Sequence, residues 1–365
     1  MGIFIEMVIK RDKGWGNMAS QIKARDMGIS IGEMETGKLN KISDVPGVRV
    51  GHATIDTDTH KTGVTIILPS QDNVFLNKLT ANAHVLNGFG KTLGLVQVQE
   101  LGTLETPIAL TNTLNVGLVH DAIVQHAIDA CKAEGYLVRS VNPVVCECND
   151  AALNDIQNRA VSTEHVFAAI RNACADFEEG DVGGGKGMVC YGFKGGIGSA
   201  SRVVSIDGIQ YTVGILVQAN YGRTADLAIN GKNVGRAVPQ GWGAKEDLGS
   251  IIVVLATDLP LDYRQLGRVI KRGSLGMARM GSVIGHGSGE IIFGFTTSNC
   301  VHHQEGNCVL SQSILREELL DTPFRAAAEC CEEAILNALL CADSVQGYQN
   351  VRKGSLREWL KKHPL

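Results

Sequence analysis

The sequence predicts an α+β fold in which sheets are covered by helices, and three observations carry that prediction. Apolar runs of strand length come in neighbouring groups joined by short turns. Helical periodicity is confined to separate segments, without strict strand–helix alternation. No repeat with a period of about 20 to 50 residues occurs, so a solenoid is excluded.

The elements follow in chain order. "TGVTIILP" (Thr62 to Pro69) reads as a buried strand, because its apolar run is short, β-branched and stopped by proline. "VGLVHDAIVQHAIDACKAEG" (Val116 to Gly135) repeats apolar residues at helical spacing and ends on glycine. "RSVNPVVCEC" (Arg139 to Cys148) is a further strand. A helix is predicted over Ser162 to Gly180, opened by a capping serine and closed by glycine. Ser201 to Asn220 is a hairpin turning at Asp207-Gly208. "IIVVLATD" (Ile251 to Asp258) and "GEIIFGFTT" (Gly289 to Thr297) are strands, with one helix from about Asp262 to Met280 between them. "TPFRAAAECCEEAILNALLCA" is a long helix with Thr322 as cap and Pro323 in its first turn. "SLRE" (Ser355 to Glu358) has the form of a capping box before a short last helix.

Composition narrows the function. The 365 residues allow one large domain or two. Glycine is abundant at 43 while proline is scarce at 8, so the glycines signal tight turns and close backbone approach instead of disorder. A net charge of -4 leaves no basic footprint for nucleic acid. The ten cysteines form no CxxC pair and read as buried reduced thiols of a cytoplasmic protein. Cys300 to Cys308 also holds His302 and His303, but the spacing fits no zinc pattern, and no metal or cofactor is expected. The first residues lack the order of a signal peptide, and position 6 is Glu where myristoylation needs Ser or Thr. No run is long enough to span a membrane. Residues 1–23 are expected to form a flexible extension ahead of the folded residues 24–365.

Several stretches imitate known chemistry and fail. "GDVGGGKG" (Gly180 to Gly187) has the spacing of a phosphate loop, but Gly187 stands where magnesium needs a hydroxyl. "GFGKT" (Gly88 to Thr92) has the lysine and threonine but Val85 in place of the first glycine. No GxSxG elbow and no HExxH pair occur, and the lone His52, His84 and His120 read as structural.

Gly249-Ser250 stands out because it opens an apolar strand. Such a pair is common punctuation. It is also a place where the chain can cut itself: the serine hydroxyl attacks the preceding carbonyl, and hydrolysis of the ester frees a new α-amine. That amine has a reference pKa of about 7.7 to 8.0 and can serve as the serine's base. The polar run ahead of it reads as an exposed segment. Other polar residues also gather at strand ends. Ser288 and Glu290 are two apart, hence on one strand face. Asn220 offers an amide of the oxyanion-hole kind. Glu147, Asn149 and Asp150 end a further strand.

With these residues together, the chain resembles the L-aminopeptidase/D-esterase (DmpA-type) family of N-terminal-nucleophile serine peptidases, which includes β-peptidyl aminopeptidases. The likeness runs from about Ala24 to the C-terminal helix. It rests on "ISDVPGVRVGH" (Ile42 to His52), "TGVTII", "NVGLVH", "CNDAALND", "GGGKGMVCYGFKGGIGSASR", "TVGILVQAN" and "IVVLATDLPL". The resemblance implies a four-layer αββα sandwich, distantly similar to ornithine acetyltransferases. It implies a cut between Gly249 and Ser250, giving an α chain of 1–249 and a β chain of 250–365 that assemble as oligomers of the αβ unit. It further implies Ser250 as nucleophile, Ser288 and Glu290 as the pair orienting it, Asn220 as oxyanion donor and Glu147 beside the substrate's amine. Asn149 departs from the tyrosine of some members and matches the β-peptidyl branch. Small peptides, amides or esters are the implied substrates. An acyltransferase or amidase on the same scaffold, and an unprocessed binding protein, are the alternatives.

Overall fold

The computed structural model describes residues 21–239, 243–247, 249–303 and 308–365. Ten strands build two sheets: β1 (Arg49–Asp56), β2 (Lys61–Leu68), β3 (Asn77–Gly88), β4 (Thr103–Leu104), β5 (Ile108–Asn112), β6 (Val144–Cys148), β7 (Gly196–Ile206), β8 (Ile209–Asn220), β9 (Ser250–Thr257) and β10 (Gly289–His302). One sheet has the order β1-β2-β5-β6 and the other β4-β3-β10-β9-β8-β7. Most neighbours are antiparallel, but β5 with β6 and β9 with β10 run parallel. Seven helices accompany them: α1 (Leu95–Leu101), α2 (Val116–Ala133), α3 (Thr163–Arg171), α4 (Tyr263–Ile270), α5 (Gly273–Arg279), α6 (Asp321–Leu340) and α7 (Leu356–Lys362).

Strand alternation sorts the apolar side chains into three cores between four layers. Val64, Ile66 and Val145 face Val119, Ile123 and Val166 of α2 and α3. Ile67, Leu110 and Cys146 of the smaller sheet meet Ile252, Val254 and Phe293 of the larger one. Ile251, Val253 and Leu255 point the other way, onto Ile270, Cys331 and Ile335 of the remaining helices. The predicted αββα sandwich is therefore present. β9 reads as continuously apolar because both its faces are covered.

Glycine makes the close approaches. An added Cβ at Gly198 of β7 stands 2.0 Å from the Ala334 carbonyl oxygen, so α6 lies directly on the sheet. The Gly183–Gly187 run threads between the sheets: a Cβ at Gly184 meets Gln218 Oε1 at 2.4 Å, and one at Gly187 meets the Lys61 carbonyl oxygen at 2.2 Å. Lys186 is ion-paired with Asp56 and Asp181, each at 2.8 Å. The stretch that imitates a phosphate loop is thus inter-sheet packing. His52 is structural as read. Its Nδ1 meets Thr65 Oγ1 at 2.9 Å and its Nε2 the Glu178 carbonyl at 3.0 Å, and burial lowers its pKa to about 4.

The predicted hairpin is present. Asp207 and Gly208 both adopt positive φ, as a two-residue hairpin turn requires. Four helix expectations need correction. The helix expected from Ser162 to Gly180 stops at Arg171, because Cys174 exchanges backbone hydrogen bonds of 3.0 Å with Val50. The helix expected from Asp262 to Met280 is two, α4 and α5. Gly276 of α5 lets it pack against α6, where an added Cβ meets Cys331 Cβ at 2.6 Å. The "SLRE" box does not close on itself. Ser344 Oγ accepts from the Ser355 N–H at 2.9 Å and donates to Glu358 at 2.7 Å, taking the place of the internal cap. α6 starts at Asp321 with Leu320 as its cap residue, so Thr322 lies inside the helix. Residues 1–20 of the expected extension lie outside the described residues. Gln21 and Lys23 are tied to Glu179. Among the described residues, no helix is long and apolar enough to cross a membrane, and no cluster of His, Cys, Asp and Glu could hold a metal ion.

Candidate active site

β8, β9 and β10 end side by side at one edge of the sandwich. The register sets Asn220 opposite Ser250, and Ser250 opposite Gly289. Asn220 and Ser250 continue the alternation of Gln218 and Ile252, so both side chains stand on the inter-sheet side. Ser250 sits at the buried mouth of a central strand, held on both flanks by ladder hydrogen bonds. Its Oγ accepts from the Gly289 N–H at 3.2 Å, and its carbonyl accepts from the Cys148 thiol at 3.4 Å.

The glycine before the serine is a steric requirement. An added Cβ at Gly249 lies 1.8 Å from the Asn220 carbonyl oxygen and 3.0 Å from Tyr221 Cα. Gly289 is equally confined, with the Phe89 carbonyl oxygen 2.6 Å from its added Cβ. Both glycines let other backbones close on the serine.

Ser288 and Glu290 share a face, as their spacing predicts, and the Ser288 hydroxyl donates to Glu290 Oε1. Alternation places them with Ile292, on the face opposite the Ser250 side chain. The pair contacts the serine through Gly289, which lies between its two members. Among the described residues no hydrogen bond joins Ser288 Oγ to Ser250 Oγ. Glu290 Oε2 is buried without a partner. Burial pushes its pKa up to about 7, the Ser288 hydroxyl pulls against that rise, and the nearby Asp247 charge adds to it. A carboxyl group poised there exchanges protons near neutrality.

Asn220 is held in one orientation. Its Oδ1 accepts from the Val189 N–H at 2.8 Å, and its Nδ2 donates to the Asn149 carbonyl at 3.0 Å. The amide has a second N–H to offer a developing oxyanion. Asn149 thus enters through its main chain, while its side chain caps the turn at Ala151 N. Asp150 behind it is buried against Asn112 and Asn154, and burial pushes its pKa up to about 6.

Glu147 is buried, and both its partners are neutral. Oε1 accepts from the Lys91 backbone N–H at 3.0 Å, and Oε2 from the Thr113 hydroxyl. The segment carrying Lys91 also brings Phe89 against Gly289, which links the acid to the serine's surroundings. A buried carboxylate with only neutral contacts is suited to receive a cation.

The sequence reading missed one contributor. Lys245 and Glu246 are exposed as expected, but Asp247 is tied down: its Oδ1 accepts from the Gly222 N–H at 2.7 Å and its Oδ2 from the Ser282 hydroxyl at 3.2 Å. Nothing in "AKEDLGS" separates that aspartate from its solvated neighbours.

A serine on a rigid strand, an oriented amide beside it and a carboxyl group near neutral pKa are the parts of acyl transfer. Comparison with known proteins agrees. Residues 40–353 match the model of peptidase family S58. The chain is 38% identical over 356 residues to the β-peptidyl aminopeptidase BapA of Sphingosinicella xenopeptidilytica, covering 90% of this chain and 87% of that one. A solved protein of Pyrococcus horikoshii OT3 superposes with a TM-score of 0.88 at 46% identity, covering 93% of this chain and 98% of that one. The L-aminopeptidase D-Ala-esterase/amidase of Ochrobactrum anthropi, described as a variant of the Ntn hydrolase fold, superposes with a TM-score of 0.86 at 37% identity, covering 93% and 98%. With the four layers and the matched sequence in agreement, the chain belongs to peptidase family S58.

Proposed function

We propose that the protein is a self-processing aminopeptidase whose nucleophile is Ser250, freed as a new N-terminus by a cut after Gly249. The observation carrying this reading is the row Asn220–Ser250–Gly289 across three adjacent strand ends. In the cut, Ser250 Oγ bonds to the Gly249 carbonyl carbon and the Gly249–Ser250 amide bond breaks. The hydroxyl proton passes to the leaving nitrogen, and water then hydrolyses the ester to a Gly249 carboxylate. The α chain is 1–249 and the β chain 250–365.

In turnover, the substrate's ammonium pairs with Glu147. The Ser250 α-amine takes the hydroxyl proton as the serine attacks the first carbonyl. The free N–H of Asn220 supports the oxyanion, with Ser288 and Glu290 orienting the new N-terminus. The amine product leaves with the returned proton, and water resolves the acyl-enzyme. No cofactor or metal takes part in these steps. Substrates are small peptides, amides or esters with a free amine. Residues of the β type are included, because Asn149 occupies the position that resembles the β-peptidyl branch. Seven cysteines buried as thiols support a cytoplasmic protein. Exposed Phe89, and Val96 and Leu101 of α1, support a homo-oligomer of αβ units.

Denaturing electrophoresis, with N-terminal sequencing of the smaller fragment, tests the cut. The expected fragment begins Ser-Ile-Ile-Val-Val. An active enzyme that stays one chain, or a Ser250→Ala variant that is still cut and active, refutes the reading. A panel of α- and β-residue p-nitroanilides tests the substrate class.

A further inference from the structure

The carboxylate of Asp247 joins three segments around the bond ahead of Ser250. Through Oδ1 it takes the N–H of Gly222, two residues beyond Asn220. Through Oδ2 it takes the hydroxyl of Ser282, which also accepts from the Ile284 N–H at 3.0 Å. An added Cβ at Gly285 lies 2.5 Å from the Asp247 carbonyl oxygen. The loop leading to Ser288 is therefore seated on the same residue. Asn87 Nδ2 fastens that loop from its other side, donating to the Gly285 carbonyl at 2.9 Å and the Ser288 carbonyl at 2.5 Å.

From this geometry we propose that Asp247 is a positioning residue for self-cleavage, a clasp that holds the Gly249–Ser250 bond against the Asn220 strand end and the Ser288 loop until the bond is cut. The proposal rests on the cut at Gly249. Asp247 lies two residues upstream of that glycine, on the side the cut separates from the nucleophile. Before the cut, its two hydrogen bonds fix the backbone that presents the Gly249 carbonyl. After the cut, no covalent path leads from Asp247 to Ser250, which the ladders of β8 and β10 hold by themselves. Cleavage and turnover therefore depend on Asp247 unequally.

The test follows intact chain and fragments over time after synthesis, together with kcat/KM per mole of cut enzyme. The wild type is the control for the cut itself: an uncut wild type, or a fragment beginning elsewhere than Ser250, refutes the parent reading and not the clasp. Given the expected wild-type cut, Asp247→Ala slows cleavage by about 10- to 100-fold, the scale of a small misplacement of reacting atoms. The kcat/KM of its cut fraction changes by at least tenfold less. Asp247→Asn keeps an oxygen for the Gly222 N–H and restores part of the cleavage rate. Ser282→Ala, which removes only the second anchor, slows cleavage less than Asp247→Ala does. If Asp247→Ala does not fold, the Asn and Ser282 variants decide alone, and cleavage at the wild-type rate in both overturns the clasp. Wild-type cleavage in Asp247→Ala overturns it as well. So does a fall in turnover as large as the fall in cleavage.

Discussion

Two groups of buried carboxylates lie on the helix-facing side of the larger sheet, and they are treated oppositely. Glu329 and Glu333 of α6 meet a cation. Arg202 of β7, itself buried, donates to Glu329 at 3.1 Å and to Glu333 at 2.6 Å. Arg25 adds a second cation at 2.9 Å, and Asn40 a hydrogen bond of 2.6 Å. Burial works against the Glu333 charge, but the Arg25 hydrogen bond and the Arg202 charge outweigh it and hold its pKa below the ordinary value. Glu290 meets no cation and keeps one oxygen unpartnered, and burial raises it to about 7. The paired group fastens the N-terminal segment to α6. The unpaired group remains able to exchange a proton. Of these two groups, the fully paired one is structural and the incompletely satisfied one adjoins the candidate site.

That contrast can be broken by experiment. Arg202→Met strands the buried Glu329 and leaves Glu333 with Arg25 as its cation, and urea unfolding is expected to show a loss of about 3 to 5 kcal/mol. Turnover per folded molecule should hardly change. Asn220→Ala is the converse: kcat falls about 100- to 1000-fold, with a stability loss of about 1 kcal/mol from the unpaired Val189 N–H and Asn149 carbonyl. Glu290 gives a pH signature. Its folded pKa of about 7 lies above the ordinary 4.5, so the folded state binds more protons between those values. Its contribution to stability is therefore full below about pH 4.5 and is lost as pH rises toward 7. Glu290→Gln should flatten that part of the stability–pH curve, and a curve unchanged by the substitution would break the contrast. The smallest effect is expected at a cap outside both groups. Asp262 accepts from the Gln265 N–H at 2.6 Å, and Asp262→Ala should cost about 1 kcal/mol with activity intact.

The strands were legible because both faces of β2 and β9 are covered, which leaves runs that only a buried strand explains. Asp207-Gly208 was legible because few other pairs accept two positive φ values. The helix breaks at Arg171 and between α4 and α5 were not. The first follows from Val50 pairing with Cys174, a contact distant in sequence. Ser250, Ser288, Glu290 and Asn220 could be gathered from strand ends and from resemblance. The face on which Ser288 and Glu290 lie relative to the serine needed the register. Asp247 left no trace in the text, since an anchored aspartate and a solvated one read alike. The charges inside "AAAECCEEAILNALLCA" were a visible signal of buried pairing, but their partner Arg202 is distant in the chain.

The larger sheet has the order β4-β3-β10-β9-β8-β7. A cut ahead of Ser250 assigns the two middle strands to the smaller fragment and all four flanking strands to the larger one. Neither fragment owns the larger sheet complete, and pulling them apart would bare four strand edges at once. The precursor folds as one molecule, at a rate that does not depend on concentration. Once cut, a denatured sample must find its partner by collision, so recovery becomes second order. Such a cut would turn a folding problem into an assembly problem, in which folding has to precede cutting.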